Sequence, residues 1–307
     1  MTRGATLRLV VIMALWAGCF PLITLGIGSA PHLAFASMRA VLAGACLLAL
    51  GGLLGRPSPA GGQTWALLVL AGLGSTSLGF LGMFHAAEFI APGMATVIAN
   101  AQPLLAGILA YLFLDEKLGR KGGLGLAVGF AGIIAIAWPG VLSAATMSYA
   151  LGISYIGLSA AGVAIGNVAM KRLAGGVDAL MAMGIQLLLG GIPLALLSLS
   201  TEDLSSVVWS ADFVLILGAL ALLGTSLSFW LWFTTLEETG LDRANAFTFL
   251  VPAFGLVVGA LFFDEQLTWS AIVGGALIVT GIVLAQREDH DQHKRAPPMP
   301  SVDPKRR

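Results

Sequence analysis

The chain has 307 residues, of which 57% are hydrophobic, 40 are glycine and only 10% are charged, with sixteen basic residues against sixteen acidic ones. Soluble domains carry about 25% charged residues, which excludes an ordinary globular fold, and the balanced charge gives no footing for a nucleic-acid partner. A span of the hydrocarbon core uses about 20 apolar residues, so ten spans leave room for loops and a tail but not for a sizeable soluble domain.

In chain order, apolar segments run over 8–28, 33–54, 64–86, 91–113, 121–138, 149–170, 179–199, 211–236, 243–263 and 269–286. Their connectors are as short as helix hairpins allow, and strand alternation is absent, which argues against a β-barrel. Arg3 and Arg8 before the first segment imitate a signal peptide. The bulky Trp16 and the run on to Gly28 make 8–28 a retained span instead. Cys19 and Cys46 sit in apolar stretches without ligand spacing, so neither a disulfide framework nor a metal is expected, and no cofactor is called for.

The basic residues orient these spans. With the N-terminus in the cytoplasm, fifteen of the sixteen fall in inner segments or the tail, one lies within a span, and the outer connectors hold none. The expectation is an all-α membrane protein with ten transmembrane helices and both termini cytoplasmic. Trp65, Trp138, Trp209 and Trp269 fall at span ends, as interfacial aromatics do. The tail 287–307 has four prolines and alternating charge, so a disordered cytoplasmic segment drawn to anionic lipid is expected. His290 and His293 there read as a solvated pair.

The chain also repeats at a fixed shift of 149 residues. Thr76-Ser77-Leu78-x-Phe80 returns as Thr225-Ser226-Leu227-x-Phe229, Pro103 as Pro252, and Phe113-x-Asp115-Glu116-x-Leu118 as Phe262-x-Asp264-Glu265-x-Leu267. Between 76 and 133, 17 of 58 positions are identical without a gap. Each copy, 8–138 and 149–286, holds five spans. Five is odd, so the second copy enters the membrane from the other side. Inverted repeats of this kind supply two related conformations around a site near the midplane.

On Ala99-Asn100-Ala101-Gln102-Pro103-Leu104, Leu114-Asp115-Glu116-Lys117-Leu118, Phe249-Leu250-Val251-Pro252 and Phe263-Asp264-Glu265-Gln266-Leu267, the chain resembles the EamA domain of the drug/metabolite transporter superfamily, doubled over roughly 8–286. Asp115 and Asp264 stand where that family usually shows glycine. The resemblance implies a ten-helix carrier of the bacterial inner membrane, often an exporter of amino acids or related metabolites, its aromatic-amino-acid exporters sharing this size and topology.

Site candidates follow from what is costly in a membrane. Pro103 and Pro252 fall at mid-span, where each would free the carbonyl four residues earlier, at Ala99 and Thr248; a packing kink is the alternative. Asn100 and Gln102 are amides at mid-membrane, which must be partnered or face a wet cavity. Trp16, Phe20, Phe80, Phe84 and Trp232 would line an aromatic pathway for a medium-sized amphipathic solute, or simply pack. Arg39 is the only basic residue inside a span. It either snorkels to the outer interface or meets a substrate carboxylate. His85 is a gate, a protonation site or a plain interfacial histidine. Asn167, Gln186 and Asn245 are further polar positions that either serve the pathway or cross-link helices.

Absences narrow the function. No carboxylate lies mid-span, which disfavours proton antiport through a central acid, and one arginine is too few for a nucleotide sugar or sugar phosphate. None of the Ser–His, Gly-x-Gly-Asp or His-Glu-x-x-His arrangements of intramembrane proteases is present, so an enzyme is not expected. Gly122, Gly125, Gly129 and Gly132 form a smooth ridge for close helix contact, within the chain or in a homodimer. The expected function is secondary transport of small zwitterionic or amphipathic metabolites in the lipid bilayer, with export of aromatic or other hydrophobic amino acids favoured. A non-transporting membrane sensor or partner protein, or a carrier of another substrate class such as cationic drugs or nucleotide sugars, is the alternative.

Overall fold

The computed structural model describes residues 3–100, 102, 105, 120–141, 146–173, 176–238, 247, 250–266 and 268–295; among them there is helix and no strand. The first span is broken. Helix α1 (Arg3–Ala17) stops at Gly18, and α2 (Cys19–Gly26) continues from it. Pro21 explains the break, because it offers no N–H to the Ala17 carbonyl and its ring crowds that group. Helix α3 (His32–Leu53) begins after Pro31, which has no capping side chain. Glu202 supplies the cap instead: its two oxygens accept the Leu33 and Ala34 N–H groups, each at 2.9 Å. A carboxylate belongs there, since a helix N-terminus leaves donors unpaired and carries partial positive charge.

The third span is α4 (Gly62–Ala71), a π-helical segment (Gly72–Leu78) and α5 (Gly79–Phe89) in one line. Then come α6 (Pro92–Ala99), α7 (Arg120–Val141), α8 (Thr146–Leu173) and α9 (Ala179–Thr201). Helix α10 (Ala211–Gly218), a second π-helical segment (Ala219–Leu227) and α11 (Ser228–Glu238) form another continuous span. Helices α12 (Leu250–Phe262) and α13 (Trp269–Arg295) complete the described chain. Six helical stretches are long and apolar enough to cross a membrane, and three shorter apolar helices lie at Gly123–Ala135, Leu250–Phe262 and Trp269–Gly281. The chain is a multi-pass membrane protein. The spans expected at 91–113 and 243–263 lie partly outside the described residues.

Helix α13 runs to Arg295, past the point at which a disordered tail was expected to begin. Residues 286–295 contain neither glycine nor proline to stop it. The glycine ridge on α7 is occupied within the chain, by α13. A Cβ on Gly132 would lie 2.6 Å from the Gly274 carbonyl oxygen, and one on Gly281 would lie 2.5 Å from that of Gly125. The ridge therefore needs no second copy to explain it. Elsewhere α3 runs along α9, α5 along α8, α6 along α12, and α1 against α11 and α12. All four tryptophans assigned to span ends are exposed, from 43% for Trp65 to 81% for Trp269.

Candidate functional site

The break at Gly18 is where three apolar clusters meet. Ala17 belongs to one with Trp16, Trp232 and Val251. Cys19 belongs to a second with Phe80, Phe84 and Phe35. Phe20 belongs to a third with Ala86, Ala95 and Ile98. Because successive residues of a helical stretch point about 100° apart, neighbouring residues reach different parts of the interior. The aromatic residues expected along a pathway are thus distributed around one helix break rather than stacked on one face.

Arg39 sits in the second cluster and is 4% exposed, so it does not snorkel. Its Nε donates to the Thr225 hydroxyl at 3.1 Å. Its Nη1 reaches the Met83 sulfur at 3.6 Å and its Nη2 the Cys19 sulfur at 3.5 Å. The guanidinium carbon lies 4.5 Å from the Phe80 ring centroid and 5.9 Å from that of Phe84. Among the described residues no carboxylate forms an ion pair with it, whereas His32 lies 3.7 Å from Glu88 and Arg56 3.7 Å from Asp178. Placing arginine at the centre of a membrane helix costs about 3 kcal/mol on insertion scales. A desolvated cation–π contact returns about 2 kcal/mol, and a hydroxyl acceptor adds to that. These neutral partners offset the burial, yet the unit charge stays uncompensated.

A matching contact lies 149 residues away. Thr225 sits in the second π-helical segment, and its counterpart Thr76, in the first, donates to the side-chain oxygen of Gln186 on α9 at 3.3 Å. Next to these, Ser77 donates to the Gly190 carbonyl at 2.7 Å and Ser226 reaches the Ala43 carbonyl at 3.1 Å. The α3 residues 39 and 43 and the α9 residues 186 and 190 keep a constant offset of 147. The π-helical register at 219–227 has a local cause: the Thr225 and Ser226 hydroxyls donate five residues back, to Leu220 and Ala221, at 2.9 and 3.0 Å.

The remaining expected residues are placed as follows. Trp16 is half-buried, donates Nε1 to the Ser228 hydroxyl at 3.0 Å, and lies 5.3 Å from the Trp232 ring. Asn100 ends α6 as its C-cap and folds back, its Nδ2 donating to the Thr96 carbonyl at 2.8 Å. Its amide nitrogen is thus spoken for by its own helix. Gln102 is half-buried. His85 stands between His32 and Tyr155, with ring centroids 4.9 and 5.0 Å apart, and its Nδ1 lies 2.9 Å from the Leu81 carbonyl. Asn167 is exposed on α8, away from these contacts. Pro252 is buried and lies in α12, and the Thr248 carbonyl that it was expected to free lies outside the described residues. Pro103 and Asn245 lie outside the described residues. Thr225 and Cys19 were not singled out from the sequence. The signal for Thr225 was its place in the Thr-Ser-Leu repeat; Cys19 offered none.

Comparison with known proteins fits this arrangement. The profile of the EamA-like transporter family matches residues 4–138 and again 150–286. The chain belongs to that family. This EamA-like protein is a transporter, not an enzyme. It is 28% identical over 298 residues to the uncharacterized transporter YvbV of Bacillus subtilis (strain 168), covering 96% of this chain and 95% of that one. It is 25% identical over 295 residues to a protein of Escherichia coli (strain K12) called a probable amino-acid metabolite efflux pump, covering 92% and 95%. A protein of known crystal structure shares the fold with a TM-score of 0.65 at 20% identity, over 95% of this chain and 99% of that one.

Proposed function

We propose that this EamA-like transporter is a secondary carrier of the bacterial inner membrane that works by alternating access. Its ten helices form two inverted five-helix repeats with both termini in the cytoplasm. The observation that carries the reading is reciprocity. The Gly132–Gly274 contact maps, under the 149-residue shift, onto the Gly281–Gly125 contact. The Thr76–Gln186 bond has its counterpart in Thr225–Arg39, with 149 residues between the threonines and 147 between their partners, and the two π-helical segments fall at similar positions. Contacts that exchange with one another under a repeat suit two conformations of similar energy, which alternating access requires.

The cargo proposed is a small zwitterionic or amphipathic metabolite, with export of an aromatic or other hydrophobic amino acid favoured. The aromatic residues around the Gly18 break and the E. coli relative's description as an amino-acid metabolite efflux pump support that class. The test is counterflow of labelled amino acids in proteoliposomes holding the full chain. Accumulation of one or more apolar amino acids above empty liposomes is expected, and no flux for any amino acid would overturn the reading.

A further inference from the structure

From the two matched crossings we infer that Arg39 is the receptor for the cargo's carboxylate, so that the transporter selects a monoanionic carboxylate group. The inference rests on the transport reading above and deepens it.

The first argument is the comparison of Arg39 with Gln186. Both side chains sit on the helix that crosses a π-helical segment, and each pairs with the threonine of that segment. At the Gln186 crossing a neutral amide is sufficient to hold the two helices. The same geometry with a guanidinium therefore adds a charge that the packing does not need. A guanidinium cannot discard its proton to escape burial.

The second argument is the quality of its partners. Among the described residues, only Nε is held by an oxygen, that of Thr225. The two terminal nitrogens, which form the end-on fork for a carboxylate, are left with the sulfurs of Met83 and Cys19 at 3.6 and 3.5 Å. Thioether and thiol are weak acceptors. A carboxylate arriving at Nη1 and Nη2 would displace both sulfur contacts, keep the Thr225 bond, and cancel the charge. The Phe80 ring beside the guanidinium offers an apolar surface to the rest of the solute. A phosphomonoester, which carries nearly two negative charges, would leave this single cation outmatched.

The experiment uses the purified full chain, in detergent for ligand-dependent thermal stabilisation and in proteoliposomes for counterflow. The probes are apolar and aromatic L-amino acids, the corresponding neutral amino-acid amides, and phenyl phosphate. Amino acids are expected to bind and exchange while amides and phenyl phosphate do not. Arg39→Gln, which copies the residue at the matched crossing, should weaken amino-acid binding by at least about thirtyfold, the low end for truncating one partner of a buried charge pair. Arg39→Lys should recover part of it, since it keeps the charge and loses the fork. The inference is overturned if amides bind as well as amino acids, if phenyl phosphate binds better, or if folded Arg39→Gln keeps wild-type selectivity. Arg39-dependent binding without exchange would remove the transport reading and leave the receptor standing. No binding by any probe would remove both.

Discussion

The two π-helical segments are crossed by different helices, and the crossings are built to different tolerances. Where α9 crosses the first segment, the facing residues are Gly190 and Gly72, and a Cβ on Gly72 would lie 2.7 Å from the Gln186 carbonyl oxygen. Where α3 crosses the second, the matched positions are Ala43 and Ala221, both buried with their methyl groups in place. One crossing is closed by backbone against backbone and takes the short, neutral Gln186. The other has buried alanines at the matched positions and takes the longer, charged Arg39. The repeated Thr-Ser-Leu segment is crossed twice in a similar way, and the difference between the two crossings places a charge at one of them.

The largest effect is expected from forcing the tight crossing to resemble the loose one. Gly190→Ala places a methyl group against the Gly72 carbonyl, where only backbone can yield. A loss of about 3 kcal/mol is expected, at the upper end for overpacking, read by thermal unfolding in detergent. Ala43→Gly at the loose crossing should cost about 1 kcal/mol, through a lost buried methyl and greater backbone freedom. If the two substitutions prove equally costly, the crossings do not differ in closeness, and the account of why only one admits arginine fails.

A middle-sized effect concerns the charge itself. Without ligand, Arg39→Gln is expected to raise stability by about 1 kcal/mol at most, since the burial cost that it removes only slightly exceeds the cation–π contact that it loses and an amide is kept for Thr225. Gain of stability together with loss of binding is the signature of a residue kept for function. A loss of stability would place Arg39 among the structural residues instead. The reverse exchange, Gln186→Arg, puts a longer charged side chain into the crossing closed by glycine and is expected to destabilise.

Much of this architecture was legible in the sequence, and the part that was not has a physical cause. Span positions follow from twenty-residue apolar runs, and the repeat was visible in Thr-Ser-Leu and Phe-x-Asp-Glu. The exposed tryptophans at span ends followed from their amphipathic rings. Whether Arg39 snorkels or stays inside depends on which helix lies beside it, and that is a tertiary fact. The sequence marked Asn100 as a costly mid-membrane amide, yet the helix ends there and the amide folds back onto Thr96. Glu202 stood apart from α3 by some 170 residues, so its capping role was invisible to any local pattern.

The smallest effect separates the two threonines, and it isolates what charge adds to an otherwise shared contact. Thr225→Val leaves the Arg39 Nε without its oxygen, and a hydrogen bond to a charged group is worth about 2 kcal/mol. Thr76→Val removes a neutral bond of 3.3 Å to Gln186, worth about 1 kcal/mol. Both valines keep a branched side chain in the π-helical segment, so packing changes little. Thr225→Val also deletes the bond to the Leu220 carbonyl, a local term that a double-mutant cycle removes. In that cycle, pairing Thr225→Val with Arg39→Ala should give a coupling about 1 kcal/mol larger than pairing Thr76→Val with Gln186→Ala. Equal couplings would mean that the guanidinium is held no more firmly than an amide. Thr225 would then not be the fixed point about which the two terminal nitrogens exchange sulfur for a carboxylate.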